Sequence, residues 1–256
     1  MKLIAVHALS GGAGASTVTA LLAMALAVER RPVLALDLSP DNLLRLHFGM
    51  AWSDPSGLAT QMAAGHPWHE AAYRSQDNIN FIPFGDPGSA LDSLSSELAR
   101  QPNWLARTLS EVALPPDTWV LCDCPRFPGG LDHPLTESAL QTAELVLLVA
   151  SPDPRSALAL PRVRSALDSR RGCDYAVVLN CFDASRTLDR DILSLLNLEF
   201  ADCLAPVTVH RDEAIREAFA CKSNITAYAP SSQAVQDFSA LATWLIAHTG
   251  HSRKTA

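Results

Sequence analysis

Residues Ser10 to Thr17 read Ser-Gly-Gly-Ala-Gly-Ala-Ser-Thr, between a strand-like apolar run, Leu3 to Leu9, and a helix-like run, Val18 to Val28. Glycines at such a turn let backbone N–H groups converge on phosphate oxygens, and the start of the helix adds a favourable dipole. The chemistry implied is the holding of a nucleotide triphosphate. Ser10, Gly11, Gly12, Ala13, Gly14 and Ala15 would wrap the phosphates, Ser16 would give its hydroxyl to Mg²⁺, and Thr17 would reach the first phosphate. A phosphate loop of this kind ordinarily places lysine just before the hydroxyl residue, and here Ala15 stands there. Binding is therefore expected and efficient hydrolysis is not. A tight turn needs glycine for its own reasons, so the loop alone is weak evidence.

Two further segments strengthen it. Val33-Leu-Ala-Leu-Asp37 and Val120-Leu-Cys-Asp123 each read as a strand ending in an acid. A carboxylate at a strand end beside a triphosphate can hold the water shell that Mg²⁺ keeps when bound to phosphates. The bland alternative is that Asp37 and Asp123 are solvated where strands exit. Asp37 and Asp41 are the acids that could activate a water, though neither carries a firm catalytic assignment.

The elements that position these residues follow from periodicity. Strands are expected at Lys2–Ala8, Pro32–Asp37, Asn80–Pro83, Thr118–Asp123, Leu145–Ala150, Tyr175–Asn180 and, weakly, Asp202–Ala205. Helices are expected at Ser16–Arg30, Ser89–Val112, Leu131–Ala143, Arg155–Arg170, Asp189–Leu198, Asp212–Ala220 and Gln233–His248. Wholly apolar strands alternating with helices indicate an α/β fold, a mostly parallel twisted sheet with helices on both faces. In such sheets ligands bind at the carboxyl ends of strands, where every motif above falls. Residues 1–250 read as one nucleotide-binding domain and 251–256 as a short tail.

The 256 residues suit one large domain, and 48% hydrophobic with 18% charged residues describes an ordinary globule. A net charge of -7 argues against bulk attraction to nucleic acid or anionic lipid. Lysine occurs only at Lys2, Lys222 and Lys254, so no nearby lysine replaces the missing one. No stretch has the length of a membrane span. Cys122 and Cys124 would share one strand face; with no second close pair, buried small residues are the simpler reading than a metal site. A cytoplasmic, reduced protein is expected.

With these motifs in order, the chain resembles the MinD/ParA group of deviant P-loop ATPases nearly end to end. The group's Lys-Gly-Gly-x-Gly-Lys-Thr loop aligns with Ser10 to Ser16, its Asp-x-Asp with Asp37 to Ser39, and its Asp-x-Pro switch with Asp123 to Pro125. Asn180 resembles the group's adenine-reading asparagine, and Pro206 stands where a base-contacting proline is usual. Pro40-Asp-Asn-Leu-Leu-Arg45-Leu, Asp123-x-Pro-Arg126 and His210-Arg-Asp-Glu-Ala214 are similar to one branch, the BcsQ (YhjQ) family of bacterial cellulose synthesis. That resemblance implies ATP or ADP with Mg²⁺ as cofactors, a homodimer, and cellulose synthase accessory proteins as partners. It implies indirect contact with the inner face of the membrane or the cell pole, by recruitment. Nucleic acid is not expected as a partner.

The departures from the group bear on function. Ser10 replaces the lysine that reaches the partner's phosphates in a nucleotide-sandwich dimer, Ala15 the loop lysine, and Ser39 the second acid. Losing a charged hydrogen bond of roughly 1.5–3 kcal/mol weakens binding about 10- to 150-fold. Losing a cation at the transition state slows hydrolysis by roughly 10³–10⁵. Arg45, Arg126 and Arg211 lie where they could compensate by contacting phosphate or a dimer partner, although surface or packing roles are simpler. The expectation is an ATP-binding scaffold with weak or no hydrolysis. The alternative is an active ParA- or MinD-like positioning or partition ATPase.

Overall fold

The structure is a computed structural model and describes residues 1–125, 131, 133–170 and 174–252. Seven strands form one sheet: β1 Lys2–Ala8, β2 Val33–Asp37, β3 Tyr73–Arg74, β4 Asn80–Ile82, β5 Trp119–Asp123, β6 Leu145–Ala150 and β7 Tyr175–Leu179. Their order is β3-β4-β2-β5-β1-β6-β7, and every pairing is parallel except β3 with β4. The parallel α/β expectation is met.

Alternation along each strand divides the core into two layers. Leu3, Ala5, Leu34, Leu36, Val120, Cys122, Val146 and Leu148 face one layer. Ile4, Val6, Val33, Ala35, Trp119, Leu121, Leu145 and Leu147 face the other. The first layer packs under α3 Leu58–Ala63, α4 Leu91–Ala99, α5 Trp104–Ser110, α6 Pro134–Thr142, α7 Pro154–Asp168 and α8 Thr187–Glu199. The second packs under α1 Ala15–Val28, α2 Leu44–His47, α9 Glu213–Ala220, α10 Ile225–Tyr228 and α11 Gln233–Ser252. With both faces covered, the strands need no polar face, which is why they read as unbroken apolar runs.

Three expectations change. The helix expected over Ser89–Val112 is two, α4 and α5, interrupted around Pro102, whose ring cannot continue an α-helical hydrogen-bond ladder. The weak strand at Asp202–Ala205 contributes only an isolated bridge, Leu204 with Val177. The last helix runs past His248 to Ser252, into the expected tail; residues 253–256 lie outside the described residues. Among the described residues, no helix is long and apolar enough to cross a membrane.

Candidate phosphate and cation site

The topology places the ends of β1, β5 and β2 side by side. β1 leads directly into the loop and α1. Gly14 caps α1 with a left-handed backbone, φ 93°, and offers no side-chain cap. The first amides of a helix have no intrahelical acceptor, so those of Ala15, Ser16 and Thr17 face outward as donors for an anion. Gly11 and Gly12 are exposed, and a Cβ on Gly12 would meet nothing within 4 Å, which leaves open space above the loop.

Asn180, at the end of β7, is buried and donates from Nδ2 to the Ala13 carbonyl oxygen at 2.7 Å. A Cβ on Gly14 would stand 2.5 Å from that nitrogen, so glycine is required there by both φ and contact. Asn180 thus fixes the loop from behind. Pro206 is exposed and stands nearer the middle of β7. Ala205 donates to Val177 O at 2.7 Å, whereas Val209 donates to Leu179 O at 2.8 Å. The segment reaches the level of Asn180 only at Val209, and His210 bridges Phe182 beyond it.

Ser10 is buried, its Oγ 2.8 Å from Ser156 Oγ and 3.3 Å from Ser151 Oγ. Ser156 Oγ also accepts from the Ser151 N–H at 3.1 Å. The side chain in the place of the group's lysine is thus tied into its own subunit. Sequence reasoning missed Ser151 and Ser156, because nothing in the local pattern joins the end of β6 and the first turn of α7 to residue 10. Ala15, also buried, sits in the helix layer of the core.

Asp37 and Asp123 pair in register across β2 and β5, and both are buried. Asp37 accepts from the Ser39 N–H at 2.9 Å and the Leu44 N–H at 3.2 Å. Burial, then the neighbouring Asp123 charge, lifts its carboxyl well above the usual range despite those bonds. Burial lifts Asp123 to about 7, opposed by a hydrogen bond from Ser16 and reinforced by Asp41. Asp123 Oδ2 has no hydrogen-bond partner among the described residues. Asp41 is exposed and electrostatically close to both acids. Ser39, buried, holds the Asp41 N–H at 3.4 Å.

An orphaned carboxyl oxygen, a second buried carboxyl, the Ser16 hydroxyl and outward amides fit a hydrated Mg²⁺ carried on phosphate. Among the described residues no group of three or more His, Cys, Asp or Glu side chains converges on a metal position. Phosphate oxygens and water would have to complete the shell, as is usual for Mg²⁺.

Of the three arginines, Arg45 and Arg211 lie among the described residues. Arg45 is buried, and its guanidinium donates to the backbone carbonyls of Asn42 (3.1 Å), Ala51 and Trp52 (2.9 Å), clamping residues 42–52. Arg211 is exposed near Cys181 and Asp183. Arg126 lies outside the described residues. His47, which sequence reasoning did not single out, is buried at the end of α2 with Nε2 3.5 Å from Thr17 Oγ1. Burial pushes its pKa down to about 4, so it is neutral at pH 7.

The model of the family described as cellulose biosynthesis protein BcsQ matches residues 1–246. The cellulose biosynthesis protein BcsQ of Salmonella typhi is 27% identical over 264 residues, spanning 100% of this chain and 98% of that protein. Among solved structures, the Pyrococcus furiosus cell division ATPase MinD superposes with a TM-score of 0.75 at 25% identity, covering 95% of this chain and 98% of that one. The septum site-determining protein MinD of Pyrococcus horikoshii, solved with Mg-ADP, superposes at 0.73 with 23% identity over 94% of each chain. The fold is that of MinD-type ATPases, and by its whole-length match the chain belongs to the BcsQ family of cellulose biosynthesis proteins.

Proposed function

We propose that residues 1–250 form a nucleotide-binding scaffold subunit of the cellulose synthesis and secretion machinery, binding ATP or ADP with Mg²⁺ and hydrolysing it slowly or not at all. The single observation that carries this is the pairing of Asp37 with Asp123, one oxygen orphaned, beside a helix start that keeps its outward amides. The loop backbone and the first turn of α1 would hold the phosphates, and Ser16, Asp37 and Asp123 the cation, the acids through water. Mg²⁺, when bound, would neutralise phosphate charge and relieve the repulsion between the two carboxylates.

Slow turnover follows from what surrounds that site. Ser10 carries no positive charge to offer a partner's phosphates, and its hydroxyl is held by Ser151 and Ser156. Ala15 supplies none to its own, and Arg45 already donates to three backbone carbonyls. The surviving acids support the second reading, an active positioning ATPase, because Asp41 stands near enough to act on both carboxyls. Within the scaffold reading the chain acts as a homodimer, lies in the cytoplasm and is brought to the inner membrane face or cell pole by other synthase accessory proteins.

Calorimetric titration of Mg-ATP and Mg-ADP, with phosphate release measured on the same sample, tests this. The scaffold reading expects binding that Ser16→Ala or Asp123→Ala abolishes, with phosphate release near background. Appreciable release lost in those two variants would establish the positioning ATPase instead. Absence of binding to the assembled complex would leave a purely structural subunit.

A further inference from the structure

A cavity of about 520 Å³ lies between the end of α2, the turn after β3 and the connection from α9 to α10. No residue of the phosphate loop lines it. Its size is that of a small-molecule site. Its wall carries two cations, Arg74 and Lys222, against one acid, Asp77, in a chain whose net charge is -7. We propose that this cavity binds a small organic anion bearing an aromatic ring, with the charged group held by Arg74 and Lys222 and the ring laid beside Tyr73. The inference does not depend on the phosphate loop holding a nucleotide.

Both cations are available to a ligand. Arg74 Nε donates to Asn80 Oδ1 at 3.1 Å, and its two terminal nitrogens have no partner among the described residues, nor has the Lys222 ammonium. Lys222 is one of only three lysines in the chain. It stands just past the end of α9 with a left-handed φ of 52°, where helices usually place glycine. Its N–H donates to the Phe219 carbonyl at 3.0 Å, and the Ser223 N–H to that of Ala218 at 2.9 Å. A charged side chain kept on a cavity rim at a position of backbone strain is the mark of a functional constraint.

The apolar wall is a stack of three rings. Phe81 of β4 stacks with Phe48 at 4.9 Å and with Tyr73 at 5.7 Å, each pair tilted by 24°. Phe48 and Phe81 are buried; Tyr73 is half-buried and forms the outer end, so a planar ligand can extend the stack. A bare inorganic anion would leave most of this volume unfilled. The walls are set without a ligand. Ser75 closes the turn after β3, its N–H donating to Ile79 O at 2.9 Å and its Oγ accepting from the Ile79 N–H at 3.1 Å. Gly49, at φ 83°, brings the chain after α2 against the connection from α9: a Cβ there would stand 3.5 Å from the Lys222 carbonyl oxygen.

Isothermal titration of the full chain, in chelator, with 1-naphthyl phosphate, 1-naphthoate, inorganic phosphate and 1-naphthol tests the assignment. At least one of the two aromatic anions is expected to bind, more tightly than either phosphate or naphthol, and the tighter of the two identifies the charged group. Lys222→Gln is expected to weaken that binding about 10-fold, the lower end for losing a charged hydrogen bond. Ala227→Trp, at an exposed residue of the wall, fills the cavity without truncating any core side chain and is expected to weaken it at least as much. Ser16→Ala, in the phosphate loop, is expected to leave it unchanged. Absence of binding by both aromatic anions, no preference for them over phosphate and naphthol, or unchanged affinity in both Lys222→Gln and Ala227→Trp overturns the inference. So does loss of binding in Ser16→Ala, which would put the probe on the phosphate loop instead.

Discussion

Asp37 and Asp123 stand opposite each other in register at the ends of adjacent parallel strands, both buried and both with carboxyls raised above the usual range. For an acid so shifted, the folded protein holds more protons than the unfolded chain between the ordinary carboxylate value and about 7. Stability in metal-free buffer therefore falls as pH rises through that window, and the cost stays in full above it. Asp123→Asn removes part of the cost. Urea denaturation with chelator at pH 8 should find the variant more stable by on the order of a few kcal/mol, the gain shrinking toward pH 4. An equal midpoint at pH 8 would contradict the pairing.

The hydroxyl cluster around Ser10 supports a second prediction. Ser156 Oγ partners Ser10 Oγ and the Ser151 N–H and lies within 3.1 Å of Ser151 Oγ, all in or near the core. Ser156→Ala leaves the Ser10 hydroxyl short of its nearest partner, at a cost of about 1–3 kcal/mol. Calorimetry should register a lowered Tm, by about 2–10 °C. Ser156→Thr keeps the hydroxyl and is expected to lose less.

Gly14 is the tightest position in the loop. Gly14→Ala combines a left-handed φ of 93° with a Cβ 2.5 Å from Asn180 Nδ2. It should destabilise the fold and weaken Mg-ATP together, whereas Gly88→Ala, at φ 55° with open space around it, should show the strain alone. Adding Asn180→Ala to Gly14→Ala should recover part of the stability but not the nucleotide affinity, since the tie to Ala13 is then gone. Full recovery of binding would show that this tie is dispensable.

Arg45 gives the fourth prediction. Removing its guanidinium frees the carbonyls of Asn42, Ala51 and Trp52 at once. Limited proteolysis of Arg45→Ala, with fragments mapped by mass spectrometry, should reveal new cleavage between residues 42 and 52. Arg45→Lys should be cut in the same place, because one ammonium cannot reproduce a planar fork directed at three carbonyls.

Much of the site was legible in the sequence because strand ends and glycine turns are local signals. Asp37, Asp123 and the loop fall at adjacent strand ends as their motifs predict. What escaped was set by contacts distant in sequence. Ser10 meets Ser151 and Ser156 only because β6 runs beside β1. Arg45 sits in a segment expected to face ligand, yet it is drawn inward by carbonyls that no pattern marks. The five residues Ala205 to Val209 advance only from the level of Val177 to that of Leu179, an offset in the segment carrying Pro206 that no local pattern marks. The break between α4 and α5 had a signal in Pro102, obscured by leucines that keep a helical rhythm on either side.

The two margins of the sheet carry a consequence for assembly. One ends in the two-residue antiparallel β3; at the other, the segment from Cys203 to Arg211 occupies amides and carbonyls along β7 and just beyond it. Among the described residues, neither rim offers a long row of vacant hydrogen-bonding groups on which a foreign chain could zip itself. Any partner would then have to meet it through side chains on its helices and loops. An interface of that kind would hang on a few side chains, within reach of single surface substitutions.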